Sequence, residues 1–143
     1  MKIISLLFSV FLLNTAHSYA QLKITKISDK NNDHFIATVI GYPIAGLYVY
    51  KNQTEPITQL NEDGTGIMQN EDLKKEAIIW GIECSESGIP LFKEGFDSAK
   101  YTFWYKIDSK KTEENEWIAT QFSIHHNNNK MFISGQRVKE YVE

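Results

Sequence analysis

The sequence predicts a single all-β domain, either an antiparallel β-barrel or a β-sandwich, of about eight to ten short strands. Short apolar or alternating runs recur at roughly ten-residue spacing. No stretch of ten or more residues in the 143-residue chain carries a helical apolar period. The dipeptide Asp63-Gly64 separates two such runs, at residues 57–60 and 65–69. It predicts a β-hairpin, because the tight turn that matches strand twist requires a positive φ. A hairpin is unstable alone, so this one must belong to a larger sheet.

The first twenty residues differ in kind from the rest of the chain. Lys2 precedes an apolar run at residues 3–13, and Ser18-Tyr19-Ala20 is a small-x-small ending, the pattern of a secretory signal peptide. The apolar run is much shorter than the roughly twenty residues that a membrane span needs. We therefore expect a signal peptide at residues 1–20, cleaved after Ala20, and one all-β domain at residues 21–143. The product would be secreted or periplasmic, with no membrane span.

The net charge of the mature chain argues against a nucleic-acid partner. Removal of Lys2 leaves 14 of the 15 basic residues against 18 acidic ones, a net charge of −4. A mildly acidic domain without a basic cluster is not expected to bind nucleic acid.

Cys84 is the only cysteine, so the exported domain cannot hold an internal disulfide. It follows an apolar run and is expected to be a buried, inert thiol. An intermolecular disulfide is the alternative.

The first predicted hairpin joins residues 22–28, which alternate, to the β-branched residues 35–40 through a polar turn at 29–33. Pro43 ends this unit because it has no N–H to donate to a strand ladder. The next strand, residues 46–50, is rich in aromatic residues and begins at a glycine.

After the Asp63-Gly64 hairpin, residues 70–76 are highly charged and predict either one helical turn or an exposed loop. Residues 77–84 form the most apolar strand. Gly81 within it indicates a bulge or a close backbone approach. The remaining predicted strands follow in chain order: residues 89–92, which Pro90 makes edge-like, then 100–108, 117–125, 131–134 and 136–141.

Metal and catalytic patterns are weak. Asn61, Asp63, Thr65 and Asp72 partly copy a calcium-loop spacing, but the flanking helices of such a loop are missing and a hairpin turn explains the residues better. The mature histidines, His34, His125 and His126, have no metal-ligand spacing.

No nucleophile, phosphate-loop or dinucleotide motif is present, and the carboxylates are scattered. We expect a non-enzymatic protein with no catalytic residues, no metal and no cofactor.

Aromatic residues make up 13% of the chain, and three uses compete for them. Most should pack a core, some would line a cavity if a barrel leaves one, and an exposed strip would suit carbohydrate stacking. The candidates for lining such a cavity are Tyr50, Trp80, Phe103, Tyr105 and Phe122.

Several segments together resemble small exported bacterial lipocalin-like proteins. The first motif is Gly46-Leu47-Tyr48, in which Tyr48 takes the place of a tryptophan. The other motifs are Leu60 with Asp63-Gly64-Thr65-Gly66, then Trp80-Gly81-Ile82, and finally Met131-Phe132-Ile133 followed by Arg137-Val138-Lys139. The resemblance implies a barrel in preference to a sandwich. It also implies structural roles for Gly64 in its turn and for Arg137, the only arginine, stacked on Tyr48 at the base of the barrel.

The leading functional hypothesis is an exported binding protein that holds a small apolar or amphipathic ligand in the barrel. The alternative is a compact β-sandwich that acts through its surface on a protein or glycan partner. A barrel carrier should contain an apolar pocket of at least about 300 Å³.

Overall fold

The computed structural model describes residues 23–30, 32–70, 72–109, 116–128, 130–134 and 136–138. The predicted signal peptide lies outside these residues. They form eleven strands in one antiparallel sheet. The strands are β1 (Ile24–Asp29), β2 (Asn32–Ala37), β3 (Gly46–Val49), β4 (Thr58–Leu60), β5 (Thr65–Gln69), β6 (Lys75–Cys84), β7 (Phe92–Glu94), β8 (Ser98–Ile107), β9 (Ile118–His125), β10 (Lys130–Ile133) and β11 (Gln136–Val138).

Eight of these strands form a barrel-like circuit. Neighbours run in the order β6-β5-β4-β3-β11-β10-β9-β8. The sheet returns on itself where β8 pairs with β6, from Ile78 opposite Ile107 to Ile82 opposite Phe103. The predicted all-β antiparallel fold, with a barrel preferred, is confirmed. The number of strands is slightly higher than the predicted eight to ten, and β4, β7 and β11 are only three residues long.

The β1–β2 hairpin lies outside this circuit. Its ladder runs from Ile24 opposite Ala37 to Asp29 opposite Asn32, so residues 30–31 alone connect the strands, fewer than the predicted turn at 29–33. Lys30 takes a φ of 52°, which the tight connection requires. β2 then extends the sheet by pairing with the end of β6, through Phe35 opposite Cys84.

The predicted Asp63-Gly64 hairpin is confirmed as β4–β5, with Leu60 opposite Gly66. Gly64 takes a φ of +87°. The Asp63 carboxylate accepts hydrogen bonds from the Thr65 backbone N–H at 2.9 Å and from its hydroxyl at 2.6 Å. These bonds lower the pKa of Asp63 and occupy the residue in forming the turn.

The inside of the barrel is a packed apolar core. Buried side chains come from β6 and β8 on their inward faces, as strand alternation dictates. The connection between β2 and β3 contributes Ile40 and Ile44 to the same cluster. Tyr48 is fully buried there, and its hydroxyl donates to the Ile44 carbonyl at 2.7 Å. The chain itself therefore fills this part of the interior.

Gly81 lies on the opposite, outward face of β6, and the group that approaches it closely is the side chain of Ile36, whereas the expectation was a close backbone approach. A Cβ placed on it would be 2.8 Å from the Cβ of Ile36. Ile36 and Ile27 of the hairpin form a second buried cluster with Trp104 of β8, and Trp117 packs against it. The β1–β2 hairpin is thus held against the outer wall of the barrel by apolar contact.

The charged segment between β5 and β6 is a loop, the second of its two predicted forms. Leu73 is exposed there and has a φ of 64°, which does not occur in a right-handed helical turn. The predicted edge-like segment at residues 89–92 is an isolated bridge from Pro90 to Cys84, followed by β7.

Candidate functional site

Three of the five cavity candidates lie in the packed core. Trp80, Phe103 and Phe122 are almost completely buried. The rings of Trp80 and Phe103 stack with centroids 5.8 Å apart and an interplanar angle of 11°. Phe122 meets Tyr101 at 5.9 Å in a tilted arrangement. These contacts are those of side chains that fill a core.

The other two candidates are more accessible. Tyr105 is half-buried beside Phe103, with ring centroids 6.0 Å apart, and burial raises the pKa of its hydroxyl. Tyr50 follows the end of β3 and is 51% exposed. The five candidates therefore do not surround one space: three are core, one lies at its margin and one lies on the surface.

For the predicted stacking of Arg137 on Tyr48, the structure describes only the backbone pairing of the two strands. β11 pairs with β3, with Arg137 opposite Val49 and Val138 opposite Tyr48. The side chain of Arg137 lies outside the described part of the structure, so its contact with Tyr48 stays a prediction.

A cleft of about 640 Å³ lies between the β1–β2 hairpin and the barrel, and we call it the hairpin cleft. Two large apolar side chains are exposed within it, Val39 at 56% and Ile79 at 37%. Its lining is Lys23, Thr25, Ile36, Ala37, Thr38, Val39, Tyr42, Pro43, Ile44, Ala45, Glu62, Asp63, Gly64, Ile79, Trp80 and Trp117. An apolar wall with a few polar groups at its margin is the usual composition of a small-molecule site.

The walls of the cleft are positioned by contacts between distant segments. The hydroxyl of Thr38 donates to the Glu62 carbonyl at 3.0 Å, which ties the end of the hairpin to the β4–β5 turn. At the same point, a Cβ on Gly64 would lie 3.3 Å from the Thr38 methyl and 3.4 Å from the Trp80 carbonyl. Gly64 thus allows the turn and the hairpin to approach closely, which gives the cleft its floor.

Charge in the cleft is unevenly distributed. Among the described residues that line it, Lys23, Glu62 and Asp63 are charged, which gives these residues a net charge of −1. Hydrogen bonds from Thr65 are the main cause of the lowered pKa of Asp63, and the charge of Lys23 contributes least to that lowering. The Glu62 carboxylate makes no hydrogen bond or ion pair with any residue that the structure describes.

A polar cluster joins the hairpin to the barrel outside the cleft. The Nδ1 of His34 lies 2.8 Å from Oε1 of Glu83, and Trp104 donates from Nε1 to Oε2 at 3.3 Å. The His34 and Trp104 rings are 4.6 Å apart. Both oxygens of Glu83 are thereby occupied by groups that anchor β2. Over the described ranges, no three His, Cys, Asp or Glu residues form a group that could hold a metal ion.

A second exposed apolar surface lies on the connection from β6 to β8. Ile89, Leu91, Phe92 and Phe96 are all exposed, and Phe96 entirely so. A further cleft of about 540 Å³ adjoins Leu91 and Phe92. Cys84, at the base of this connection, is buried, as expected, and burial raises the pKa of its thiol.

The sequence pattern did not identify the hairpin cleft. Val39, Ile79 and Trp117 belong to separate strands or strand ends, and each by itself is an ordinary apolar residue. Trp80 is shared by the predicted candidates and the cleft lining. The His34–Glu83 contact joins positions 49 residues apart, a distance at which no local pattern connects them.

No protein-family model, no curated protein and no solved structure matches this chain. Within the residues that the structure describes, no helix has the length and apolar character needed to cross a bilayer.

Proposed function

We propose that the protein is an exported, non-enzymatic binding protein for a small apolar or amphipathic ligand, which it holds in the hairpin cleft. One observation carries the proposal: the exposed apolar side chains of Val39 and Ile79 line a cleft of about 640 Å³. Ligand sites commonly have volumes of about 300–1,000 Å³. A ligand there would bury the two side chains without disturbing the core.

The same reasoning favours the cleft over the barrel interior. A ligand inside the barrel would have to displace stacked rings such as those of Trp80 and Phe103. Truncation of buried aromatic side chains typically costs about 3–5 kcal/mol of stability, which indicates how much packing such a ligand would have to replace. The cleft requires no such rearrangement.

Titration with the neutral fluorophore N-phenyl-1-naphthylamine tests the proposal. Binding should change the tryptophan emission, because Trp80 and Trp117 both line the cleft, and Trp117→Phe should reduce that change while probe fluorescence still reports binding. Ile79→Gln should raise the dissociation constant about threefold to tenfold, because it removes an apolar contact of roughly 1 kcal/mol.

Ile67→Gln is the matched control, since Ile67 is similarly exposed on β5 and is not part of the cleft lining. Saturable binding that Ile79→Gln weakens and Ile67→Gln leaves unchanged would support the proposal. Equal effects of the two variants, or no saturable binding, would contradict it.

Export and the lipocalin-like relationship belong to the same proposal. The signal-peptide pattern supports export, and cleavage after Ala20 would give a mature protein beginning at Gln21. An intact mass measured on protein collected outside the cytoplasm tests this, and retention of residues 1–20 would refute it. The lipocalin-like relationship rests on the sequence motifs, and a barrel-like circuit is compatible with it.

The apolar surface around Phe96 favours a second candidate function, recognition of a glycan through exposed aromatic rings. Phe92 packs on Tyr101 with ring centroids 5.3 Å apart, so the ring of Phe92 is held in place by this contact. A glycan array would detect such binding. Phe96→Ala should abolish it while leaving binding of N-phenyl-1-naphthylamine intact, and a signal that survives Phe96→Ala would reject this surface as the site.

A further inference from the structure

We propose that the hairpin cleft selects amphiphiles whose polar end is a cation, such as an alkylammonium, over those that end in a carboxylate. The inference rests on the proposed function, since it assigns a ligand class to the same cleft. It depends on the balance of charge at the margin of the cleft and on the aromatic rings among its walls.

The charge balance follows from three side chains. Asp63 is held in the turn by Thr65, and Lys23 is the one cation among the described lining residues. Lys23 therefore balances, in number, one of the two carboxylates. Glu62, the neighbour of Asp63 at the same turn, is exposed and has no partner among the described residues. Its carboxylate is left as the uncompensated charge of the cleft.

Position makes Glu62 a usable partner for a ligand. Its backbone carbonyl is fixed by the hydroxyl of Thr38, so the residue has a defined place between the hairpin and the β4–β5 turn. Its side chain is not engaged in holding that turn. A ligand cation can therefore approach the carboxylate without breaking a contact of the folded protein.

The aromatic rings of Tyr42 and Trp117 line the same cleft. A cation within about 6 Å of an aromatic ring face is attracted to it, most strongly by tryptophan. The hydroxyl and indole groups at such sites suit a ligand with one apolar end and one polar end. A carboxylate would gain nothing from the ring faces.

The charges of the cleft disfavour an anionic amphiphile. Lys23 is the only cation among the described lining residues, and an approaching carboxylate would be repelled by the charges of Glu62 and Asp63. Screening reduces charge effects at exposed sites, so we expect discrimination of moderate size, about threefold to tenfold in affinity.

The experiment compares probes of one chain length: decyltrimethylammonium, decanoate and decanol, each titrated below its aggregation concentration by calorimetry. Decyltrimethylammonium should bind about threefold to tenfold more tightly than decanoate, and the difference should shrink at high salt. Glu62→Gln should remove most of the difference between decyltrimethylammonium and decanoate. Glu86→Gln is the control, because Glu86 is exposed and outside the cleft lining.

The outcomes separate the two proposals. Equal binding of all three probes, weakened by Ile79→Gln, would overturn the cation preference and leave the binding function in place. Tighter binding of decanoate would also overturn the preference. Absence of binding by every probe would remove both proposals. A preference for the cation that Glu62→Gln leaves unchanged would show that Glu62 is not its source.

Discussion

Replacement of Gly81 by alanine tests how the β1–β2 hairpin is attached to the barrel. The added methyl carbon would lie 2.8 Å from Cβ and 2.9 Å from both Cγ1 and Cδ1 of Ile36. Carbon atoms pack best at about 3.5–4.0 Å, so Ile36 must withdraw by roughly 0.7–1 Å. It has little freedom to do so, because it is 4% exposed and its backbone pairs with Glu83.

Overpacking usually costs about 1–3 kcal/mol. The intrinsic preference for alanine over glycine in a strand offsets about 0.5–1 kcal/mol of this cost, so we expect Gly81→Ala to lower the free energy of unfolding by about 0.5–2 kcal/mol. Urea denaturation followed by tryptophan fluorescence measures the change. Hydrogen exchange should show the largest loss of protection in β1 and β2, because the hairpin has to move away.

A double-mutant cycle with Ile36→Ala supplies the control. Ile36→Ala alone should cost about 2–4 kcal/mol, and the double variant should cost less than the sum by about 1 kcal/mol, since the new methyl then enters vacated space. Additive effects, or a Gly81→Ala protein as stable as the original, would refute the close contact between β2 and the outer face of β6.

Three further predictions follow from individual contacts. Glu83→Gln should weaken the attachment of His34 and lower the free energy of unfolding by about 1 kcal/mol, measured by urea denaturation. Asp63 has a pKa lowered by its bonds with Thr65, so its stabilisation is complete above pH about 4 and is lost as pH falls through the lower folded value. Asp63→Asn should therefore flatten the acid limb of a stability-versus-pH curve. The buried thiol of Cys84 should react with a thiol reagent slowly in the native protein and rapidly in urea, and equal rates would contradict its burial.

Local chemistry explains which elements could be predicted. The β4–β5 turn depends on Asp63, Gly64 and Thr65, which are adjacent in the chain, so the sequence pattern contains all of its determinants. Strand alternation likewise puts Tyr101 and Phe103 on the same face of β8, and both side chains are buried. The first turn is shorter than the predicted 29–33 because the β1–β2 ladder extends to Asp29 opposite Asn32. The alternation of residues does not indicate where a ladder ends.

The cavity candidates show where such patterns stop being sufficient. Alternation predicts that Trp80 and Phe103 point inward, and they do. Whether inward side chains surround a space or fill it depends on the side chains that other segments contribute to the interior. Here those are Ile40 and Ile44 of the β2–β3 connection. No property of β6 or β8 alone indicates that this connection contributes to the interior.

The sequence by itself determined the all-β class, the β4–β5 hairpin and the alternation of β8, because these depend on the conformational preferences of neighbouring residues. The tertiary structure decided that β8 pairs with β6, that the β1–β2 hairpin packs outside the barrel on Gly81, and that a cleft forms between them. Those features arise from contacts between residues far apart in the chain. Their energies depend on the complete arrangement of the strands, which local preferences do not specify.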